Sequence, residues 1–586
     1  MAFWDVLITG TVVDGSGGPR YEGFVAVQGD SIAAVGKGRP PADRGASVVI
    51  DAGGMVVAPG FIDIHSHGDA TLLAFPSGAS AIGQGVTTIV GGNCGVSPAP
   101  LGENWLFSWW EFDWWHRVAP YKYYEPALCP LERARPWLER HYGPGFGWRS
   151  LAEFLKAVDN ARPAVNFVPL VGHGALRACV MGRDFARRAS PDEVRRMEDL
   201  LRQGLEEGAW GMSTGRDYEP GSHAAAEEIA SLAGVVAEAG GIYATHCRGM
   251  GAGSCGLRPN PVDGLAEAVE VGLRSGARVQ VSHLLPAYSI HPPPPAALSR
   301  TAAEATLEIL EDALGRGVDV AFDVVPGGDP GGVVVVPYLA SMLAPWLRDA
   351  GSPERLAELL LRPDYRQEIR ELVDGGRWRY LGPAAGPDWA DLLEVEVAEG
   401  LDGGTERLSA VARRRRADPL ETLFDLVCRC PRLGVKRRWP GREEAFTVFL
   451  SHPSSMVASD AFVVDGDWKV EAPPYYLPHP NTFGAFPSYL GRAPGLEEAV
   501  ARITSRPARA LGLSGRGLLR PGGFADAVVL DPAGLGAGGG SLEPPRAQQG
   551  IRWVLVNGGI VVADGVATGL RPGRVLRRRP EGRSWR

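Results

Sequence analysis

The stretch "PGFIDIHSH" at residues 59–67 decides the architecture. After a Pro-Gly turn signal comes a short apolar run, which ends on two histidines one residue apart. Such a run bounded by turn residues reads as a buried strand. On an extended chain, side chains at i and i+2 project to one side, so His65 and His67 can reach the same ion. The pattern of an apolar run closing on a polar residue then recurs down the chain. With "PGFIDIH" there are eight such runs, the others being "VTTIVGGNC" (86–94), "VNFVPLVGH" (165–173), "AWGMST" (209–214), "GIYATH" (241–246), "RVQVSH" (278–283), "VDVAFD" (318–323) and "SMVASD" (455–460). Amphipathic segments intervene, among them "SPDEVRRMEDLLRQGLEEGAW", which opens with a Ser-Pro helix start. Eight alternations of strand and helix predict an α/β chain folded as a (β/α)8 TIM-like barrel.

Outside this region the period changes. Residues 5–59 carry "DVLITGTVVDG", "EGFVAVQGDSIAAVG" and "ASVVIDAGGMVVAP", and residues 525–578 carry "ADAVVLDP", "IRWVLVNGGIVVADG" and "GRVLRR". These read as short strands with Gly or Asp turns. Two all-β flanks predict one small β-sandwich formed by both termini, from residues 1–57 and 513–586, with the catalytic barrel at 58–512. A loop insertion is expected near 101–150, and a lid or subdomain near 327–450, because bare coil of that length is uncommon.

The chain has 586 residues with 60 basic against 68 acidic side chains, a net charge of -8 and 45% apolar residues. Mean hydropathy is -0.07. That balance describes a folded soluble protein without general attraction for nucleic acid or anionic lipid. The basic runs "RRRR" (413–416) and "GRVLRRRPEGRSWR" read as solvated surface. The N-terminus lacks a basic segment followed by an apolar core, and "GGVVVVPYLASMLAPWL" is interrupted by prolines, so neither a secretory signal nor a membrane span is expected. Seven scattered cysteines argue against a disulfide framework and for a reducing, cytoplasmic setting.

In a barrel of this class the active site lies where strands end. The closing residues are His65 with His67, Cys94, His173, Thr214, His246, His283, Asp323 and Asp460. They include five of the eleven histidines, a concentration that points to a metal site. On these grounds alone Cys94, in "GGNCGVS", is a buried hydrophobe, a nucleophile or a ligand.

Several segments resemble the N-acyl-D-amino-acid deacylases of the amidohydrolase superfamily. They include "VAPGFIDIHSH", "GVTTIVGGNCGVSPAPL", "PLVGHGALR", "GMSTGRDYEPG", "THCRG", "VSHLLPA", "SSMVASD", "HPNTFGAFPSYLGR" and "RGLLRPGGFADAVVLDP", in matching order from about residue 3 to 580. The resemblance implies a zinc hydrolase with a metal-bearing barrel and a flanking β-sandwich. Two-metal relatives commonly bridge their ions with a carboxylated lysine, yet no lysine lies between Lys156 and Lys436. Cys94 as thiolate is the natural replacement, since zinc binds thiolate well. By resemblance, one tightly held zinc takes Cys94, His246 and His283, and a second, weaker site takes His65 and His67 with Cys94. Asp460 is then the general base and acid.

The substrate implied is a small-molecule N-acyl amino acid or related amide, with Arg248, His173 and Tyr218 expected around it. Arg248 is the expected carboxylate holder, because guanidinium grips carboxylate two-pronged. Leu285 stands where the family often has lysine, and Val325 and Gly327 where it often reads "DVYPY". The loop at 103–126 carries five tryptophans, suited to an apolar acyl chain, to a contact in a homo-oligomer or to ordinary packing. A mononuclear deaminase using His65, His67, His246 and Asp460 is the competing reading, and it leaves "GNCG" without a role. A non-catalytic binding protein would be expected to have lost ligands, and all six are present.

Overall fold

Eight parallel strands form the centre of the computed structural model. The model describes residues 3–106, 128–143, 146–249, 261–288, 295–327, 334–378, 380–386, 388–396, 404–438, 441–466, 468–535 and 550–578. In order, the strands are Phe61–Asp63, Val86–Gly91, Asn166–Pro169 continued by Val171–Gly172, Gly211–Gly215, Ile242–His246, Arg278–Val281, Val320–Val324 and Ser455–Val457. Each falls in one of the eight apolar runs. The first three pair in sequence, and the third through the eighth continue the ladder. The eighth returns to the first through a Ser66–Ala461 bridge. There the Asp460 and His67 amides donate to the His65 and Ala461 carbonyls at 3.0 and 2.9 Å. The ring is therefore a closed (β/α)8 barrel, whose interior includes Ile62, Val90, Val168, Ala244 and Met456.

Helices pack outside the ring because their apolar residues recur at helical spacing. In Pro191–Glu206 the buried stripe is Met197, Leu201, Gly204 and Leu205. Ser190 and Glu193 close its N-terminus with a reciprocal capping box, a feature that contributes about 1 kcal/mol. Burying each large aliphatic side chain of that stripe contributes roughly 1.5–3 kcal/mol.

Both termini enter one continuous eight-stranded sheet. Its pivot is the 15-residue strand Gly45–Pro59. The N-terminal part of this strand runs parallel to Phe3–Val12, and its last residues pair antiparallel with Ala527–Leu530. Ile8, Val25, Val27, Ile50, Val529 and Leu555 meet in one cluster, so the two halves of the sheet face each other across an apolar layer. The segment "GRVLRR" departs from its expected strand role. Val575 bridges Phe167 of the third barrel strand, and the Leu576 carbonyl accepts from Trp210 Nε1. The backbone groups free at the foot of the barrel thus capture this segment instead of the small sheet.

Between the seventh and eighth strands, residues from Leu339 to Val435 build their own apolar cluster, with Trp346, Leu356, Ile369, Trp378, Leu423 and Phe424 inside. Its stem is a short pairing of Val334–Val335 with Leu477–Pro478. The helix Arg442–Ser451 lies within the stretch expected as insertion, but it packs on the barrel, where Phe449 meets Phe322 at 6.1 Å. Of the tryptophan-rich loop only Glu103–Leu106 falls in the described residues, and Trp105 there is buried against Tyr142 and Phe146. Among the described residues no helix is long and apolar enough to cross a membrane.

Candidate metal centre

The ends of the strands bring six side chains together. Cys94 Sγ lies 3.4 Å from His65 Nε2, 3.6 Å from His283 Nε2 and 3.9 Å from His246 Nδ1. His246 Nδ1 and His283 Nε2 are 2.9 Å apart. Asp460 Oδ1 sits 3.2 Å from His67 Nε2 and 3.3 Å from His65 Nε2. Three overlapping sets follow, each with donor atoms within 4.8 Å of one another: His65, His67 and Cys94; Cys94, His246 and His283; and His65, His283 and Asp460.

Local backbone geometry produces this convergence. Cys94, His283 and Asp460 all adopt left-handed backbone angles, with φ of 54°, 36° and 50°. Non-glycine residues avoid that region, and holding one there costs on the order of 1–3 kcal/mol, so surrounding contacts must fix each. For Cys94 the contacts are those of "GGNCG". Asn93 Nδ2 donates to Val90 O at 2.8 Å, and the Gly95 amide donates to Ser213 Oγ at 2.9 Å. A Cβ on Gly92 would stand 2.2 Å from Leu170 O, so only glycine lets this turn pass so near the third strand. Asp460 is fixed from the neighbouring residue. Asp63 accepts from the Ser459 amide at 3.1 Å and from Ser459 Oγ at 2.5 Å, which ties the first strand to the eighth.

Charge in the cluster is arranged as a metal requires. Burial opposes ionisation of Cys94, but the imidazoles of His65, His246 and His283 hold its thiol well below the usual range. Burial likewise opposes the Asp460 carboxylate, and hydrogen bonds from His65 and His67 hold it well down. In return His65, His67 and His246 are driven toward protonation. Burial disfavours their charge, yet Asp460 and Cys94 push His67 up to about 9, and Asp217 and Cys94 push His246 up to about 10. A thiolate and a carboxylate thus share buried space with imidazoles whose protons do the neutralising. A divalent cation could replace those protons, and zinc takes thiolate and imidazole at about 2.3 and 2.0 Å. Tetrahedral ligands at those distances lie roughly 3.3–3.8 Å apart; Cys94 and His283 fall in that range at 3.6 Å, Cys94 and His246 just beyond it at 3.9 Å, and the two histidines stand closer, at 2.9 Å.

Other expected residues fall elsewhere. His173 starts the helix His173–Met181 and is fully buried, its Nε2 2.8 Å from Glu228 Oε1. Arg177 Nη1 reaches the same carboxylate at 2.6 and 2.7 Å. His173 Nε2 is thus turned to Glu228 within this buried triad, and not to the cysteine and histidines of the cluster. Arg248 is also committed: Nε donates to Glu267 Oε2 at 3.0 Å, Nη1 to Ser222 O at 2.9 Å and Nη2 to Ala224 O at 3.0 Å. All three nitrogens of the Arg248 guanidinium are thus engaged by groups of the protein itself. Tyr218 packs its ring on His246 at 4.9 Å, beside the cluster. Burial and the nearby Cys94 push its phenol well above the usual range. Leu285 packs partly buried against the main core, Val325 is buried, and a Cβ on Gly327 would meet Asn481 Oδ1 at 3.9 Å.

Two further acids stand in the cluster. Asp217, which the strand-closing pattern does not include, lies with Oδ2 3.1 Å from His246 Nε2. Asp323, a strand-closing residue to which no motif assigned a role, stands 3.6 Å from His65 Nδ1 and accepts from the His283 amide at 2.8 Å. Their only sequence signal was a strand-end acid and the Asp of "GRDYEPG".

A model of the amidohydrolase family matches residues 48–321 and 388–562. The chain is 32% identical over 586 residues to an N-acyl-D-glutamate deacylase from Alcaligenes xylosoxydans xylosoxydans, covering 98% of this chain and 96% of that protein. Among solved structures it is similar to N-acyl-D-glutamate deacylase from Bordetella bronchiseptica, complexed with zinc and a phosphonate mimic of the tetrahedral intermediate. There the TM-score is 0.66 and the identity 28%, with 98% of this chain and 100% of that one covered. A D-aminoacylase structure, described for one-metal activation and second-metal attenuation at a binuclear centre, matches at 29% identity with the same TM-score and coverage.

Proposed function

This chain belongs to the amidohydrolase family, in its N-acyl-D-amino-acid deacylase branch, and from that membership we infer the reaction and the residues that perform it. The chain hydrolyses the amide bond of N-acyl-D-amino acids to a carboxylate and a free D-amino acid. The observation that carries the assignment of residues is the convergence of Cys94, His246 and His283 on one point, with Asp460 facing it across His65 and His67.

Cys94, His246 and His283 hold one zinc tightly, and His65 and His67 with Cys94 form a second, weaker site. The choice of zinc is supported by the thiolate and imidazole donor set and by the zinc in the Bordetella relative. A zinc held there would supply a Lewis acid for the amide carbonyl and lower the pKa of water. Asp460 Oδ1, held ionised between His65 and His67, takes the proton from the attacking water and returns it to the leaving nitrogen, so the amine departs neutral. Tyr218 walls the pocket beside His246 and excludes water from that side. The mononuclear deaminase alternative leaves Cys94 idle, although three histidine nitrogens lie within 4 Å of its sulfur. No disulfide joins the six described cysteines, which supports a reducing, cytoplasmic setting in which the Cys94 thiolate persists.

Amine release by chelator-stripped protein, followed as zinc is added back, tests the assignment. Activity that returns by about one equivalent of zinc per chain is expected. A chain as active without metal as with it contradicts the reading.

A further inference from the structure

His246 has two different neighbours on its two nitrogens. Nδ1 faces Cys94 and His283, while Nε2 faces Asp217 Oδ2 at 3.1 Å. The other Asp217 oxygen accepts from the Gly249 amide at 2.6 Å. A carboxylate can only accept, so it favours a proton on Nε2 and leaves the Nδ1 lone pair for the cluster.

Asp217 lies just after the fourth strand, on a segment gripped by two arginines from neighbouring strand ends. Glu267, from the helix Pro261–Ser275, joins them: Oε1 accepts from Arg216 Nε at 2.7 Å and Oε2 from Arg248 Nε at 3.0 Å. Both guanidinium groups then donate to carbonyls of the segment, Arg216 to Gly221 and Ala224 and Arg248 to Ser222 and Ala224. Arg216 is almost wholly buried, and burial of Glu267 is outweighed by the two arginines, which hold its carboxyl below the usual range.

We propose that Asp217 is a positioning residue that sets the proton of His246. In this account Arg216, Glu267 and Arg248 clamp the segment 216–224 so that Asp217 keeps that contact. The proposal rests on the metal reading of Cys94, His246 and His283. It makes Arg248 a determinant of metal affinity and leaves recognition of the substrate carboxylate to other groups.

The test is the zinc dissociation constant of the full chain, measured by competition with a chromophoric chelator, for wild type, Asp217→Asn and Arg248→Gln. KM is measured alongside for an N-acetyl-D-amino acid and for its carboxylate-free amide counterpart. Asn at 217 keeps the shape but turns an N–H toward either His246 Nε2 or the Gly249 amide. Asp217→Asn should therefore weaken zinc binding about 10–100-fold, with the thermal midpoint unchanged. Arg248→Gln should weaken zinc several-fold and leave the ratio of the two KM values as in wild type. Wild-type zinc affinity in Asp217→Asn overturns the proposal. So does Arg248→Gln with normal zinc affinity and a KM raised for the carboxylate substrate alone. Should Arg248→Gln not fold, Asp217→Asn decides by itself. A wild-type chain that binds no zinc overturns the metal reading first, a distinguishable result.

Discussion

Cys94 and Asp460 divide the chemistry at the scale of single residues, and substitutions should separate them. The Cys94 sulfur lies within 4 Å of nitrogens of His65, His246 and His283 together. Cys94→Ala should lose zinc and amine release in parallel; metal analysis of the purified variant checks this, and full zinc content would remove the cysteine from the site. Asp460→Asn keeps the volume and the contacts of His65 and His67 but cannot take a proton. It should keep its zinc while turnover falls about 10²–10⁴-fold, the range for loss of a general base. Near-normal turnover in that variant contradicts the role. The clustering of His65, His67, Cys94, His246 and His283 was legible because a strand end announces itself: "HSH", "GNCG", "ATH" and "VSH" each follow an apolar run. Asp217 and Arg248 were not legible in the same way. Their roles depend on Glu267, a helical residue whose approach to both arginines is decided by packing, which sequence spacing does not encode.

The helix His173–Met181 shows at the scale of elements how a buried polar group can imitate a site. His173, Glu228 and Arg177 form a closed triad between that helix and the helix Ala226–Glu238. Burial works against the Glu228 charge, but His173 and Arg177 lower its carboxyl from 4.5 to about 2. Burial also lowers His173 below its usual 6.5, although Glu228 acts in the other direction. Both folded values lie below the unfolded ones, so stability is complete above about pH 6.5 and falls as pH drops toward 2. The Glu228 share is on the order of 3 kcal/mol. Urea midpoints at pH 7 and pH 4 should show the first part of this loss, about 1 kcal/mol from Glu228, in wild type. Glu228→Gln, which leaves Arg177 buried and unpaired, should cost roughly 3–5 kcal/mol at pH 7. A variant as stable as wild type at pH 7 would contradict the structural role. The strands and helices themselves were readable from period and turn signals. "GRVLRR" was not, because an alternating hexamer does not say which sheet edge will receive it.

At the scale of the whole molecule, a buried polar network joins the terminal sheet to the barrel. Arg516 pairs with Asp526 and donates to Asn557 Oδ1 at 2.7 Å, and Asn557 Nδ2 donates to Asn166 Oδ1 of the third barrel strand at 2.8 Å. The sheet therefore does more than cover the barrel foot; it satisfies polar groups that the barrel alone would leave buried. Arg516→Met strands Asp526 in that layer and should lower stability by about 3–5 kcal/mol. Thermal unfolding followed by tryptophan fluorescence checks this, and an unchanged midpoint would make the network incidental. The barrel and the union of the two termini could be read from eight runs and two β-rich flanks. The separate core between Leu339 and Val435 could be read only as a long insertion, since its apolar residues carry no sign of which neighbours they will choose.

The central claim is that this barrel end hydrolyses N-acyl-D-amino acids. Amine release by zinc-loaded protein from matched D and L forms of one N-acyl amino acid tests it most directly. The account predicts release from the D form and little or none from the L form. Release from the L form alone, or from neither, would contradict it.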